Sequence, residues 1–507
     1  MKSNRAHLQQ NRSLLAATAA FAALPDEANR VEALWKLKID TGTVISVERD
    51  SSQSLTTPDG GTFNNLPPRT IVKLVLNPAK GSNINVEIWL PDPGAWNNRF
   101  LGLGNGGAAG TINPGSFTGP LSDGFVVATT DLGTAPNPDS GIGNPEVWKD
   151  FGFRATHLMT LSAKQVLRAY YSKEPNYSYF CGGSTGGQQA LQEAQRYPDD
   201  YDGIVANIPA HCRTPLHAYF LWNDQILNKC PFTESQQNQI IAAGNEFMAD
   251  RETPATAGQF VSDPRCTGKD IETVVGLALQ KDPTLTQAHA EALRNLFDGP
   301  RHALTGERIF CGIPFGSSFE IAHANLYLFN WVFGAKKNTN EINFGEDIDT
   351  YTAALGPYLN AENPDLSQFE KRGGKVIMVA GSTDSCVPYH ASLDYYERVG
   401  GVFGGIEKVR AFFRFYLIPG MSHGPGPGIN SLPDMLDLVI NWREKGAAPE
   451  AIRGQRIING KSELDMPLYP YPTKTAWAAE TNSFKPVDGP QGGVERVAER
   501  FRPPAAE

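Results

Sequence analysis

The sequence predicts an α/β fold in which a core domain is interrupted by a mostly helical insertion. Short apolar runs alternate with helix-like stretches up to about residue 211, and the same alternation returns after about residue 365. Between these positions strand signals are rare, and helix-like polar stretches such as 234–250 dominate. A glycine-rich turn at 182–187 joins an apolar run to a helical stretch, which is typical of a strand that passes into a helix.

The first half of the core contains the larger share of the predicted strands. Each is a short apolar run that ends in glycine or polar residues, as buried strands do, and they lie at 70–78, 83–91, 99–107, 124–131, 177–180 and 203–210. One helix is predicted at 153–171, because four apolar side chains fall near one helical face: Leu158, Leu161, Val166 and Leu167. A second helix is predicted from about Thr185 to Tyr197, directly after the glycine-rich turn.

The second half of the core is predicted from strands at 375–384 and 409–420 and a helix at 434–446. The last 50 residues are rich in proline, and we expect them to wrap the surface. The predicted domain organisation is therefore an N-terminal segment, a first core part, a lid and a second core part with a C-terminal tail, at 1–30, 31–211, 212–365 and 366–507.

The N-terminal segment permits two interpretations. Basic residues precede an alanine-rich apolar run at 14–24, which is the pattern of a signal peptide. An alanine-rich first helix explains the same residues equally well. The sequence therefore leaves an exported and a cytoplasmic location open. It contains no run of 18 apolar residues, so no membrane span is predicted.

Composition and cysteine spacing argue against several classes of partner and site. The 507-residue chain has a formal net charge of −9 and no basic run, which argues against nucleic acid as a partner. Six cysteines are present, and none forms a CxxC pair, so neither a zinc site nor a redox motif is predicted: Cys181, Cys212, Cys230, Cys266, Cys311 and Cys386. We expect buried free thiols rather than a disulfide framework. No oligomeric state is predicted.

Ser184 lies in the glycine-rich turn and is the candidate nucleophile. Residues 182–186 fit the pattern G-x-S-x-G, with a strand predicted before it and a helix after it. A serine at so tight a turn has a strained backbone, and glycine neighbours avoid the collisions that side chains would make. The turn also places the N-terminus of the following helix near any negative charge that develops.

A serine nucleophile needs a histidine base and a carboxylate that orients the base. In a G-x-S-x-G fold the expected chain order is serine, acid, histidine. Asp384 lies just past the strand at 375–380 and His423 follows the strand at 409–418, so both come at strand ends and in this order. The competing histidines are His390, His302 and His157, and His390, six residues after Asp384, is expected to start a helix and to have a surface role.

An oxyanion hole requires two backbone N–H groups. One is expected from Thr185, the residue after the nucleophile. The other is expected from the glycine-rich loop at 104–110, which follows an earlier strand. Gly106 and Gly107 are both candidates, and the sequence does not choose between them.

Several of these stretches resemble the tannase and feruloyl esterase family of α/β-hydrolases, which also contains mono(2-hydroxyethyl) terephthalate hydrolase. The resemblance runs from about Val31 to Pro472 and is carried by GNGGAAG, DFGFRATH, YFCGGSTGGQQALQEAQRYPDDYDGIVANIPA, GSTDSCVPYHASLDYYERV and IPGMSHGPGPG. It implies an α/β-hydrolase core with a helical lid between the serine and the acid segments. It also implies serine-dependent hydrolysis of carboxylic esters, often of bulky aromatic acids, by Ser184, Asp384 and His423.

The sequence departs from the family at its cysteines. The family's disulfide joins a residue directly before the serine to one directly after the histidine, and these positions are Gly183 and Gly424 here. Near the C-terminus, the family's motif CPYP reads YPYP at 469–472, so its cysteine is replaced by tyrosine. Val31 occupies the position of a cysteine found near the N-terminus of family members. The resemblance therefore implies a branch poor in disulfides, in which packing holds the loops.

The lid also departs from the family pattern. Family members often have a calcium loop rich in aspartate, and this chain keeps the DPRC stretch at 263–266 without the acidic cluster. Asp250, Glu252 and Asp263 alone make a poor calcium site, because calcium takes about six or more oxygen ligands. We therefore expect no calcium and no other cofactor.

The sequence thus predicts a serine esterase for small-molecule esters of aromatic acids of the hydroxycinnamic, gallic or terephthalic type. Lid aromatic residues could bind the acid group or could be ordinary core: Phe220, Trp222, Phe315, Phe319, Tyr327, Phe329 and Trp331. The alternatives are an esterase for non-aromatic or polyester-derived substrates, a non-catalytic binding protein on the same scaffold, and acyl transfer to an acceptor other than water.

Overall fold

The computed structural model describes residues 26–249, 253–262, 268–319, 326–334, 337–489, 491 and 495–506. Residues 1–25 of the N-terminal segment, with the apolar run at 14–24, and the acidic residues considered for calcium, Asp250, Glu252 and Asp263, lie outside these residues. The strands in the described residues are β1 (Gly42–Asp50), β2 (Ser54–Thr56), β3 (Thr62–Asn64), β4 (Arg69–Leu76), β5 (Ile84–Pro91), β6 (Arg99–Leu103), β7 (Val126–Thr130), β8 (Tyr177–Gly183), β9 (Gly203–Asn207), β10 (Lys375–Gly381), β11 (Phe413–Ile418), β12 (Ile452–Ile458), β13 (Lys461–Leu468), β14 (Thr473–Ala478) and β15 (Ser483–Asp488).

The helices alternate with the strands in each half of the core and are consecutive in the insertion. They are α1 (Glu27–Trp35), α2 (Gly115–Ser122), α3 (Pro145–Lys149), α4 (Ala155–Tyr171), α5 (Thr185–Arg196), α6 (Arg213–Lys229), α7 (Glu234–Ala249), α8 (Gly268–Lys281), α9 (Gln287–Asp298), α10 (Tyr327–Phe333), α11 (Glu346–Leu359), α12 (Ser367–Lys371), α13 (His390–Phe403), α14 (Ile406–Val409) and α15 (Met435–Lys445). A π-helical turn at Asp150–Arg154 joins α3 to α4.

One nine-stranded sheet organises the core, in the order β1-β4-β5-β7-β6-β8-β9-β10-β11. The first four strands in this order, β1, β4, β5 and β7, pair antiparallel. The six strands from β7 onward in this order, β7-β6-β8-β9-β10-β11, run parallel to one another. The parallel strands therefore end at the same edge of the sheet, which is where ligands bind in folds of this kind. Every core strand predicted from the sequence is present in this sheet.

Helices cover both faces of the sheet. On one face α4, α5 and α13 bury apolar side chains in a large cluster that continues into the insertion. On the other face α2, α15 and the β12–β13 hairpin bury a second cluster. The strands between the clusters are consequently buried on both sides, and their sequences are nearly continuous apolar runs rather than alternating ones.

Three regions were not predicted as strands. β1 pairs antiparallel with β4 at the sheet edge, and its residues are mostly half-buried or exposed, so it lacks the apolar run that marks a buried strand. β2 and β3 form a short antiparallel pair with mostly exposed residues. The C-terminal region forms the hairpins β12–β13 and β14–β15 where a surface wrap was expected. The first hairpin has a two-residue turn, Asn459-Gly460, which is typical of hairpins, and the second has a four-residue connection at 479–482.

Candidate active site

Ser184 occupies the sharp turn between β8 and α5. Its backbone has φ 57° and ψ −117°, a conformation that residues with a Cβ rarely adopt. Hydrogen bonds on both sides of the residue hold it there. The Ser184 N–H donates to the Asn207 carbonyl at 3.0 Å, and its carbonyl accepts from the N–H groups of Gln188 at 3.1 Å and Ala210 at 3.0 Å.

The glycines around Ser184 allow backbones to approach closely. A Cβ on Gly182 would lie 2.4 Å from the Gly186 carbonyl oxygen, and a Cβ on Gly104 would lie 2.5 Å from the Gly186 Cα. The collisions expected from the sequence are therefore real at these positions. Gly183 differs, because a Cβ there would meet nothing closer than 3.7 Å. This is the position at which the family resemblance places a cysteine.

The structure brings Ser184, His423 and Asp384 together. The His423 Nε2 lies 3.2 Å from the Ser184 Oγ, and the His423 Nδ1 lies 2.9 Å from the Asp384 Oδ2. Each residue follows the carboxyl end of a parallel strand, β8, β10 or β11. A serine, an imidazole and a carboxylate connected in this way can move a proton from the hydroxyl to the ring.

Asp384 is fully buried, whereas the side chain of His423 is 33% exposed. The second carboxylate oxygen of Asp384, Oδ1, accepts the backbone N–H groups of Cys386 and Val387, each at 2.8 Å. Three hydrogen bonds therefore compensate the burial of this carboxylate and fix its plane. The exposed imidazole edge faces the space that a substrate must enter.

The loop at 104–110 is fastened to the start of α5. The Gly186 N–H donates to the Asn105 carbonyl at 2.7 Å, the Asn105 N–H donates to the Gln189 Oε1 at 2.8 Å, and the Thr185 hydroxyl donates to the Gly107 carbonyl at 2.6 Å. The backbone N–H groups of Thr185, Gly106 and Gly107 donate to no acceptor in the described part of the chain. All three thus remain available to a ligand.

The competing histidines have other partners. His390 begins α13 as predicted, next to the ring of Tyr389. His302 is buried, and its Nδ1 accepts the Thr305 N–H at 3.2 Å. The His157 Nδ1 lies 2.6 Å from the Asp200 Oδ2, and its ring stacks on Tyr197. His423 is accordingly the histidine that reaches Ser184.

A buried group of ionisable side chains lies beneath α5. His157, Glu193 and Asp200 offer ligand atoms within 4.8 Å of one another, which is close enough to hold a metal ion. The Lys164 Nζ donates to the Asp200 carbonyl at 2.5 Å. Burial, and then the Asp200 carboxylate, raises the pKa of Glu193 well above its usual value, while Lys164 opposes the shift. The raised pKa favours a neutral Glu193, whose proton can be shared with the Asp200 carboxylate.

The lid aromatics identified from the sequence mostly fill the core. Six of them are buried, and Trp222 is partly buried against the same cluster: Phe220, Phe315, Phe319, Tyr327, Phe329 and Trp331. Phe329 stacks on Tyr351, and the Trp331 Nε1 donates to the Pro138 carbonyl at 2.6 Å. Tyr327 is the member closest to the serine turn, because its hydroxyl binds Arg213, which in turn binds Thr185.

The sequence did not single out Arg213 or Gln189, although both bind the loop at 104–110. Gln189 lies in the quoted stretch that follows the serine, and its position one turn into the helix was the available signal. Arg213 follows the strand β9 by only a few residues, and a lone arginine entering a buried helix marks a charge that needs partners.

A family profile described as tannase and feruloyl esterase matches residues 70–487. The chain belongs to this family. The protein is a carboxylic ester hydrolase with an α/β-hydrolase core and a helical insertion, as the sequence predicted. It is 29% identical to an uncharacterised esterase of Xanthomonas campestris pv. campestris, over 95% of this chain and 96% of that protein. It is 30% identical to a probable feruloyl esterase of Arthroderma benhamiae, over 72% of this chain and 74% of that protein.

Solved structures show the same fold in this esterase family. Feruloyl esterase B from Aspergillus oryzae superposes with a TM-score of 0.76 at 24% identity, covering 91% of this chain and 99% of that one. Tannin acyl hydrolase from Aspergillus niger superposes with a TM-score of 0.71 at 20% identity, covering 90% and 94%. In the described part of this esterase, no helix is both long and apolar enough to cross a membrane.

Proposed function

We propose that this esterase hydrolyses esters of aromatic carboxylic acids, of the hydroxycinnamic, gallic or terephthalic type, through an acyl-enzyme on Ser184. The observation that carries the proposal is the hydrogen-bonded series Ser184–His423–Asp384 at the carboxyl edge of the sheet. The aromatic acid class is supported by the relatives, which bear the names feruloyl esterase and tannin acyl hydrolase.

In the first half of the reaction, the Ser184 hydroxyl attacks the ester carbonyl while the His423 Nε2 accepts its proton. The Asp384 carboxylate accepts the Nδ1–H of the ring, so it fixes the tautomer in which Nε2 can act as a base. The carbonyl oxygen becomes negative and binds the N–H of Thr185 and that of Gly106 or Gly107. His423 then gives its proton to the departing alcohol, and the acyl group remains on Ser184.

In the second half, His423 accepts a proton from water, which attacks the acyl-enzyme. The same N–H groups bind the second oxyanion, and the acid leaves as Ser184 regains its proton. No metal ion or cofactor takes part in the proposed chemistry, because acid–base catalysis and backbone donors supply each step. Under this proposal the lid at 212–365 binds the acid group, with the ring and hydroxyl of Tyr327 on the side of the serine turn.

The test compares wild-type protein with Ser184→Ala on four esters: p-nitrophenyl acetate, methyl ferulate, methyl gallate and mono(2-hydroxyethyl) terephthalate. We expect Ser184→Ala to lose about 10⁴-fold or more in kcat on every ester that the wild type cleaves. Mass spectrometry after brief mixing with p-nitrophenyl acetate should find the acetyl group on the peptide that contains Ser184.

Ser116→Ala is the matched control, because Ser116 lies at the start of α2 and binds only the Asn113 carbonyl by its side chain. It should keep the wild-type rate. Activity that survives in Ser184→Ala would disprove the nucleophile. A folded wild type that cleaves only p-nitrophenyl acetate or aliphatic esters would disprove the aromatic acid class and leave the nucleophile assignment intact.

A further inference from the structure

The guanidinium of Arg213 lies directly behind the serine turn. Arg213 is the first residue of α6 and is 3% exposed. Its Nη1 donates to the Thr185 Oγ1 at 3.0 Å, and its Nη2 donates to the Gly107 carbonyl at 3.2 Å and to the Tyr327 hydroxyl at 2.7 Å. One buried cation thus contacts both segments that carry the proposed oxyanion donors.

Every described hydrogen-bond partner of Arg213 is neutral. The guanidinium lies 5.2 Å from the centre of the Phe151 ring and forms no ion pair with a carboxylate in the described residues. Other buried arginines of this protein behave differently, since Arg308 pairs with Asp298, and Arg414 pairs with Glu450. A buried charge without a counterion is costly, so its retention calls for a compensating interaction.

The geometry of the Gly107 peptide shows what Arg213 does to the loop. The Gly107 carbonyl accepts hydrogen bonds from both the Thr185 hydroxyl and the Arg213 Nη2, so it is turned toward α5. Gly107 has a φ of 55°, which a hydrogen-bonded carbonyl helps to maintain. Because the peptide unit is planar, fixing this carbonyl fixes the Ala108 N–H directly, and it limits the rotation of Gly107, whose own N–H and that of Gly106 lie just before it in the loop.

We propose that Arg213 is a positioning residue for ester hydrolysis. It holds the Gly107 carbonyl against Thr185, so the loop at 104–110 presents its N–H groups beside that of Thr185. Its positive charge, which has no carboxylate partner among the described residues, also stabilises the negative oxygen of the transition state, because charges act strongly where water is excluded. This inference rests on the proposed function, since it assigns a role at the same serine.

The first test measures acylation in Arg213→Met by the burst of p-nitrophenolate from p-nitrophenyl acetate. We expect the acylation rate to fall about 10²-fold, as it does when an oxyanion donor is lost, with less than about a threefold change in the dissociation constant of the ester, obtained from the dependence of the burst rate on ester concentration. Arg213→Lys keeps the charge but loses the fork of donors, so it should recover part of the rate. Thr185→Val removes the other donor to the Gly107 carbonyl and should lower the rate about tenfold.

Arg414→Met is the matched control, because Arg414 is 6% exposed and lies on β11 with its own partner, Glu450. It should lower the unfolding temperature while leaving the acylation rate unchanged. A purely structural role for Arg213 predicts the same behaviour in Arg213→Met. The affinity for a phenylboronic acid separates the two roles, because its adduct with a serine carries the charge of the tetrahedral intermediate. That affinity should fall in parallel with the acylation rate.

An acylation rate in Arg213→Met within about threefold of wild type would overturn the inference. If Arg213→Met does not fold, a wild-type rate in both Arg213→Lys and Thr185→Val would overturn it instead. These outcomes remain separate from the proposed function, which fails if Ser184→Ala stays active or if the wild type cleaves no aromatic acid ester. Inactive Ser184→Ala together with fully active Arg213 variants would retain the nucleophile and reject Arg213 as a positioning residue.

Discussion

The two sides of the candidate active site are supported in different ways. The backbone of Ser184 is held by core residues, through bonds to Asn207 and Ala210 and through the close approach of Gly104, Gly182 and Gly186. The insertion reaches this side through the Arg213 side chain, which binds the Thr185 hydroxyl and the Gly107 carbonyl. On the other side, the insertion binds the loops that carry Asp384 and His423. The difference indicates that the core fixes the backbone of the proposed nucleophile, whereas the lid helps to place the oxyanion loop, the acid and the base.

The link to the lid passes through Ser382 and Val261. The Gly420 N–H donates to the Ser382 Oγ at 2.7 Å and also approaches the Val261 carbonyl at 3.2 Å. The Ser382 hydroxyl donates to the same Val261 carbonyl at 2.5 Å. Ser382 precedes Asp384 by two residues and Gly420 precedes His423 by three, so one lid carbonyl is tied to both loops.

The largest effect is expected where the core side is broken. Gly182→Ala would place a Cβ 2.4 Å from the Gly186 carbonyl oxygen, and neither backbone can move without displacing Ser184. We expect a loss of about 3 kcal/mol in the free energy of unfolding and loss of nearly all esterase activity. Urea denaturation and kcat for p-nitrophenyl acetate provide the two measurements.

Gly183→Ala is the matched control for Gly182→Ala. The added Cβ meets nothing closer than 3.7 Å, so the free energy of unfolding should change by less than about 0.5 kcal/mol. Equal destabilisation by the two substitutions would show that backbone packing does not explain the glycines of this turn.

A smaller effect is expected where the link to the lid is cut. Ser382→Ala removes the hydroxyl that bridges Gly420 and Val261, so the loops of Asp384 and His423 lose a shared anchor. We expect kcat to fall about tenfold, because a small displacement of a base impairs proton transfer. The free energy of unfolding should fall by about 1 kcal/mol, the net value of a hydrogen bond.

Ser392→Ala controls for the loss of a buried hydroxyl near the same loops. Ser392 is 1% exposed on α13, and its hydroxyl has no hydrogen-bond partner in the described residues, so its removal should leave kcat unchanged. If Ser382→Ala lowers thermal stability while kcat stays at the wild-type value, the lid does not position the acid and the base.

The same contrast explains what the sequence could reveal. Ser184 was predictable because a strand, a glycine turn and a helix are all local signals, and Asp384 and His423 followed from their order after strands. The hydrogen bond between Ser382 and Val261 joins residues that are 121 positions apart in the sequence, so no local sequence pattern predicts it. The role of Arg213 was not predictable for the same reason, since its partners Gly107 and Tyr327 lie 106 and 114 positions away in the sequence.

β1 and the C-terminal hairpins were not predicted, because few of their side chains are buried and they therefore lack the apolar run that identifies a core strand.

The smallest predicted effect concerns the pH response of the core side. Glu193 lies on α5 and is fully buried, and apart from the neighbouring Asp200 carboxyl its carboxylate oxygens have no hydrogen-bond partner in the described residues. Burial, and then Asp200, raises its pKa well above the ordinary value of 4.5, against the opposing charge of Lys164. The imidazole of His157 also faces this group through Asp200.

A carboxyl group with a raised pKa remains protonated in the folded protein at pH values where the unfolded chain has released the proton. Its contribution to stability is therefore complete below about pH 4.5 and declines as the pH rises toward the folded pKa of Glu193.

Glu193→Gln keeps the shape of the protonated acid and removes the titration. The unfolding temperature of Glu193→Gln relative to wild type should thus increase steadily between pH 5 and pH 8. Glu48→Gln, at an exposed glutamate on β1, should show a difference that does not depend on pH. A constant difference for Glu193→Gln as well would mean that Glu193 is ionised in the folded protein, and that a cation bound by His157, Glu193 and Asp200 accounts for its burial better than a shared proton.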